Sequence, residues 1–183
     1  MNFQKNWLLA LAVSSALVGC KGSDPEPEEN EFISTVQLVF TPAAGGNAIT
    51  ATWRDLDGEG GTAPTVTPIN LARNTTYNVA IKFLNETVSP ADDITKEIQE
   101  EADEHLVVFT PAPANLVQFT VTDRDSRNLP IGLASRAVTT AAGTGTLQVV
   151  LRHQPPVNGQ PIKNGTATPG STDADVTFNV AIQ

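Results

Sequence analysis

Tyr77-Asn78-Val79-Ala80-Ile81-Lys82-Phe83 alternates large apolar side chains with polar or small ones, and that period decides the fold. In an extended chain successive side chains point to opposite faces, so Tyr77, Val79, Ile81 and Phe83 share one face and Asn78, Ala80 and Lys82 the other. A helix would scatter those four apolar residues around its axis. The same alternation recurs at Val36, Leu38 and Phe40, at Val117, Phe119 and Val121, at Leu147, Val149 and Leu151, and at Val176, Phe178, Val180 and Ile182. Weaker strands are expected at residues 49–53, 106–109 and 133–138, for a total of about eight, separated by turns rich in Gly, Pro and Asn. Half-buried strands of this kind build antiparallel sheets with one face on a core. The expected fold class is all-β, a single immunoglobulin-like or related antiparallel β-sandwich over residues 32–183.

Residues 90–104 break the pattern. Asp92 or Asp93 can cap a helix, Ile94, Ile98 and Ala102 recur at helical spacing, and no Gly or Pro intervenes, so one short inserted helix is expected. Residues 154–173 are rich in Pro and Gly and read as a long loop.

The chain starts with Lys5, an apolar run from Trp7 to Val18 and then Leu17-Val18-Gly19-Cys20, the order of a cleaved secretory signal. The run is short of the roughly 18–20 residues that span a bilayer as a helix. Leu17-Val18-Gly19-Cys20 resembles the lipobox of bacterial lipoproteins. That resemblance implies removal of residues 1–19 and attachment of a diacylglyceryl thioether and an N-acyl chain at Cys20. The alternative is an ordinary secreted protein with a stray cysteine near its cleavage site. Cys20 is the one cysteine in the chain, so the domain is expected to fold without disulfides. Residues 20–31 then form a lipidated cysteine and an acidic, Pro-containing tether. Extended at about 3.1 Å per residue, it reaches roughly 35 Å from the lipid.

The chain carries 11 basic and 20 acidic residues; loss of residues 1–19 removes Lys5, leaving 10 against 20 and a net charge of −10. Nucleic acid is excluded as a partner because phosphate binding needs a basic face. Cations or basic protein surfaces fit better, and outside any complex a monomer is expected.

Two constellations can hold cations. In Asp55-Leu56-Asp57-Gly58-Glu59-Gly60, Asp55, Asp57 and Glu59 occupy the first, third and fifth positions of a calcium loop and glycine the sixth. Val66 stands where the bidentate glutamate belongs, which excludes a full EF-hand, and a plain acidic turn is the alternative. Asp123-Arg124-Asp125-Ser126-Arg127 begins in the same way but puts Arg127 at the fifth position. The second constellation is Glu101 and His105, four apart and on one helical face if the helix reaches that far, together with His153 and Glu104 or Asp103. Imidazole and carboxylate suit zinc, copper or iron. The alternative places His105 at the helix end, where a cation suits the macrodipole, and His153 exposed after a strand. Residues 92–104 hold seven acids against Lys96, a repulsion that a bound cation or a basic partner would relieve. There is no nucleophile elbow, no phosphate-cradling glycine loop and no catalytic cysteine, so an enzyme is not expected. Trp53 is either a sugar-binding platform or core.

From residue 32 onward the chain resembles a family of small Bacteroidetes-type lipoproteins. The likeness rests on Trp53-Arg54-Asp55-Leu56-Asp57-Gly58-Glu59-Gly60-Gly61, Asn74-Thr75-Thr76-Tyr77, Leu84-Asn85-Glu86, Ser89-Pro90-Ala91-Asp92-Asp93-Ile94-Thr95, Glu104-His105, Pro130-Ile131-Gly132-Leu133, Leu151-Arg152-His153-Gln154-Pro155 and Thr177-Phe178-Asn179-Val180. Its members are often labelled a type 1 periplasmic binding fold, a two-lobed α/β structure that the alternating pattern contradicts. The resemblance implies a lipid-anchored position on the periplasmic or outer face of the outer membrane, in the company of TonB-dependent transporters. Three readings follow: a non-enzymatic accessory to nutrient or metal uptake, a calcium- or zinc/copper-binding lipoprotein, and an adhesive or carbohydrate-binding surface module. The first leads. If Cys20 is the lipid attachment point, Cys20→Ala takes up no labelled fatty acid in cells; label on the variant would refute the lipoprotein reading.

Overall fold

The computed structural model describes residues 32–183 apart from Glu59; the expected signal, Cys20 and the tether lie outside the described residues. Each segment with period-two alternation is a strand, and its apolar face is buried except in Val117–Val121, where Val117 is buried and Phe119 and Val121 are half-buried. The elements in order are β1 (Thr35–Pro42), β2 (Ile49–Arg54), β3 (Thr65–Val66), β4 (Ile69–Leu71), β5 (Thr76–Leu84), α1 (Ile94–Glu100), β6 (His105–Ala112), β7 (Val117–Val121), β8 (Ala134–Thr139), β9 (Gly143–His153) and β10 (Ser171–Ile182). They form a six-stranded sheet, β3-β2-β1-β5-β8-β7, and a four-stranded sheet, β4-β10-β9-β6. Tyr77, Val79, Ile81 and Phe83 of β5 and Val36, Leu38 and Phe40 of β1 share one buried cluster with Leu147, Val149 and Leu151 of β9 and Val176, Phe178, Val180 and Ile182 of β10. Two sheets joined through their inner faces make an all-β sandwich.

β3 and β4 are too short to show a period and have no counterpart among the expected strands. The pairing of β4 with β10 is parallel, unlike the antiparallel ladders of the other named strands. Trp53 is half-buried and packs on the core, which favours its packing role over an exposed sugar platform.

The helix is shorter than the 90–104 segment predicts. It caps at Asp93, without a side-chain hydrogen bond, and stops at Glu100. Ile94 and Ile98 are buried, and the Thr95 hydroxyl bonds the backbone of Phe83, which docks α1 on the end of β5. From Glu100, its last residue, onward Glu101, Asp103 and Glu104 crowd like charges, and the last turn holds no basic residue. The ladder with β9 then takes over: the Glu104 carbonyl accepts from the Gln154 amide at 2.6 Å, and His105 opens β6. His105 is therefore a strand residue, and it does not share a helical face with Glu101.

Phe178 is fully buried between the sheets while its neighbour Asn179 is exposed. Phe178→Ala is expected to cost about 3–5 kcal/mol in urea unfolding, through lost transfer energy and a residual cavity. Asn179→Ala should stay within about 0.5 kcal/mol of the parent.

Candidate metal centre

His105, first in β6, and His153, last in β9, are direct partners in the antiparallel ladder. The next inward pair is Val107 and Leu151, so the histidines end a core-facing row at one edge of the sandwich. Both are buried, with 1% and 8% of their surface exposed. Their rings stack 4.7 Å apart and within 3° of parallel. The turn after α1 brings up Glu101, and one ligand atom from each of Glu101, His105 and His153 lies within 4.8 Å of the others. The structure thus brings together the three residues of the imidazole–carboxylate constellation. His153 is buried in its strand, not exposed beyond it.

The Nδ1 atom of His105 lies 3.2 Å from the Glu101 carbonyl oxygen. A carbonyl only accepts, so Nδ1 carries the proton of the neutral ring and Nε2 presents a lone pair. That Nε2 faces the Asp173 Oδ2 atom at 3.8 Å, and the His153 Nε2 faces the Glu104 Oε2 atom at the same distance. Burial is the main force that lowers the His105 pKa to about 4, helped by the positive charges of His153 and Lys163 and opposed by the Glu101 carbonyl. Burial likewise pushes the Asp173 carboxyl up, against the pull of His153 and Arg152. Low dielectric drives both partners toward their neutral forms.

The turn that carries Glu101 and Glu104 is held by a polar clamp. The Lys163 ammonium donates to the Ala102 carbonyl at 2.7 Å and pairs with Asp125 at 2.9 Å, both charged side chains being fully buried. Asp103 accepts from the Ser126 amide and hydroxyl, and Arg127 donates to the carbonyls of Asp103 and Lys163. On the other side Arg152 binds the carbonyls of Pro169 and Gly170 and the Thr172 hydroxyl. Gly170 has φ +76°, and a Cβ there would collide with the His153 carbonyl, so only glycine lets this loop lie against the end of β9.

The acidic loops put their carboxylates to other uses. Asp55 Oδ1 accepts from the amides of Asp57 and Gly58, and Asp57 Oδ2 from that of Thr62, which is the main cause of the lowered Asp57 pKa. These bonds close the turn; Glu59 is outside the described residues. Asp123 accepts from Gly132 and Ala134. Among the described residues, the cluster of metal-type donors is at the histidines and not at either loop.

Asp173 and Lys163 escaped the sequence reading. Asp173 lies two residues before Asp175 and four before Thr177, on the outward register of β10, and nothing in the alternation marks it as buried. Lys163 is a single basic residue in a loop, with no periodic neighbour to place it.

No family model, curated protein or solved structure matches this chain.

Lys163→Met leaves Asp125 buried without its counter-ion and is expected to cost about 3–5 kcal/mol at pH 7 in denaturant titrations. Burial by itself would raise the Asp125 pKa, but Lys163 and the backbone amides of Leu129 and Arg127 outweigh it and hold the carboxyl below its ordinary 3.8. The contribution of a lowered carboxyl is complete above that ordinary value and vanishes as pH falls through the lower folded one. The gap between parent and Lys163→Met should therefore narrow below about pH 4.

Proposed function

We propose that the chain is a lipid-anchored, non-enzymatic binding module of the outer membrane, working beside a TonB-dependent transporter, with a transition-metal ion of the zinc or copper class as its cargo. The observation that carries the ligand is the meeting of Glu101, His105 and His153 at the end of the sandwich. Two imidazoles and a carboxylate suit zinc, copper and iron, whereas calcium prefers an all-oxygen set. Anchorage rests on Cys20 and the lipobox resemblance, and the transporter on the family resemblance. The net acidity of the chain supports cation capture by concentrating cations near its surface.

Parallel rings cannot aim their in-plane lone pairs at one point, so loading requires one imidazole to turn about its Cβ–Cγ bond. The surrounding clamp keeps the backbone in place while it does so. No carbon framework is transformed in this reading; the chemistry is ligand exchange.

The lipidated protein in detergent tests it. Zinc at about a hundred times its dissociation constant should raise Tm by about 5–10 °C, and calcium should do little. His105→Ala should abolish the zinc effect and Asp57→Ala should spare it. Affinity purification from native membranes, with metal analysis of the same sample, should recover both a transporter and bound metal. No shift with zinc or copper at millimolar concentration would end the metal reading, and recovery of the protein without a transporter would end the accessory reading.

A further inference from the structure

Asp173 sits on a β-bulge. Thr172 of β10 pairs with Arg152 of β9 and Ala174 with Leu151, so Asp173 is the extra residue between two consecutive rungs. Along β10 the outward register holds Asp175, Thr177 and Asn179, all exposed. An aspartate in that register belongs in water. The bulge breaks the register and turns Asp173 inward until 2% of its side chain is exposed. There its Oδ1 atom has no hydrogen-bond partner among the described residues, and its Oδ2 faces the Nε2 atom of His105 at 3.8 Å. Burying a carboxylate costs several kcal/mol unless something compensates it, and 3.8 Å is too long for a hydrogen bond to do so.

The tautomer of His105 decides what that compensation is. The Glu101 carbonyl takes the Nδ1 proton, so the atom that faces Asp173 is a lone pair. A lone pair and a carboxylate oxygen attract each other only with a proton or a metal cation between them, and at 3.8 Å the gap is too long for a shared proton. We infer that Asp173 is a direct ligand of the metal centre, coordinating beside His105 and His153, so that the site is a mixed imidazole–carboxylate cage for a divalent ion of the zinc class. This rests on the metal reading above and narrows it.

A carboxylate that merely orients a metal-bound histidine sits on the nitrogen that does not bind the metal. In this site that place is filled by the Glu101 carbonyl, and Asp173 is on the opposite, metal-facing nitrogen. The spacing also fits. A tetrahedral ion with bonds of about 2.0–2.2 Å separates its nitrogen and oxygen ligands by about 3.3–3.5 Å, so the observed gap closes by less than about half an ångström. Glu101, His105 and His153 already lie within 4.8 Å of one another, whereas Asp173 stands outside that group and joins it through the imidazole turn that loading requires. Two nitrogen and two oxygen donors select zinc or ferrous iron over cuprous copper, which prefers sulfur, and over calcium.

Three measurements on the folded chain test the assignment. A crystal structure of the zinc-loaded protein should place an Asp173 oxygen about 2.0–2.2 Å from the ion. Asp173→Asn should weaken zinc binding at least tenfold. In the metal-free protein the same variant should melt at the parental temperature or above, because it removes a buried carboxylate whose Oδ1 accepts no hydrogen bond among the described residues; a carboxylate serving only structure would lower it. Zinc bound at His105 and His153 with the Asp173 oxygens beyond 3 Å, or with parental affinity in Asp173→Asn, overturns the assignment and leaves the metal reading standing. A parent protein that binds no zinc removes both.

Discussion

The register of β6 on β9 puts His105 opposite His153, and the rest of the molecule's polar end is built around that rung. Side chains alternate across a strand, so a slip of one residue in either strand would turn its histidine to the opposite face of the sheet and part the pair. The register is held by the apolar row behind it, in which Val107, Leu147, Val149 and Leu151 are each at most 1% exposed. Hydrophobic burial along the length of the sandwich thus fixes the positions of two imidazoles at its tip. Neither histidine needs a local motif to find the other, because the ladder measures the distance.

Closing the tip with polar groups is expensive in a low-dielectric setting, and the structure shows how the expense is met. Lys163 and Asp125 are wholly buried, yet the ammonium also holds a carbonyl and the carboxylate also accepts backbone amides. Three loops meet there: the turn after α1, the turn at residues 123–130 and the loop before β10. Each is short of apolar contacts of its own, and charge-assisted hydrogen bonds replace them. Gln154 adds to this from beneath, fully buried and donating to the carbonyls of Thr166 and Pro169. The result is a rigid polar collar whose geometry does not depend on disulfides; the chain's single cysteine is at position 20.

The architecture was readable because it rests on the period-two burial of Tyr77, Val79, Ile81 and Phe83 and of four similar runs, a signal local to each strand. What stayed hidden was set by contacts between distant segments. β3 and β4 have two and three residues and borrow their conformation from their neighbours. The helix ended before Ala102 because pairing of the Glu104 carbonyl with Gln154, fifty residues away, competed with its last turn. Residue type and a four-residue spacing point to Glu101, His105 and His153, but the first two meet across a turn into β6 and not on a helical face. Asp173 is hidden for a sharper reason: a bulge is an exception to the alternation by which strands show in a sequence.

The order of strands across the sheets also governs how copies of this protein behave when crowded. Among the described residues four strands lie at a sheet edge, β6 with its Val107 amide already bonded to the Ile131 carbonyl, and an open edge is a template on which another chain can build. β3, β4 and β7 have two, three and five residues, too short to hold an incoming strand firmly. β6 is the longest at eight, and it carries Pro111, which has no amide hydrogen to offer. A sandwich with such frayed and interrupted margins resists growing into fibrils, so many copies can share a surface without fusing edge to edge.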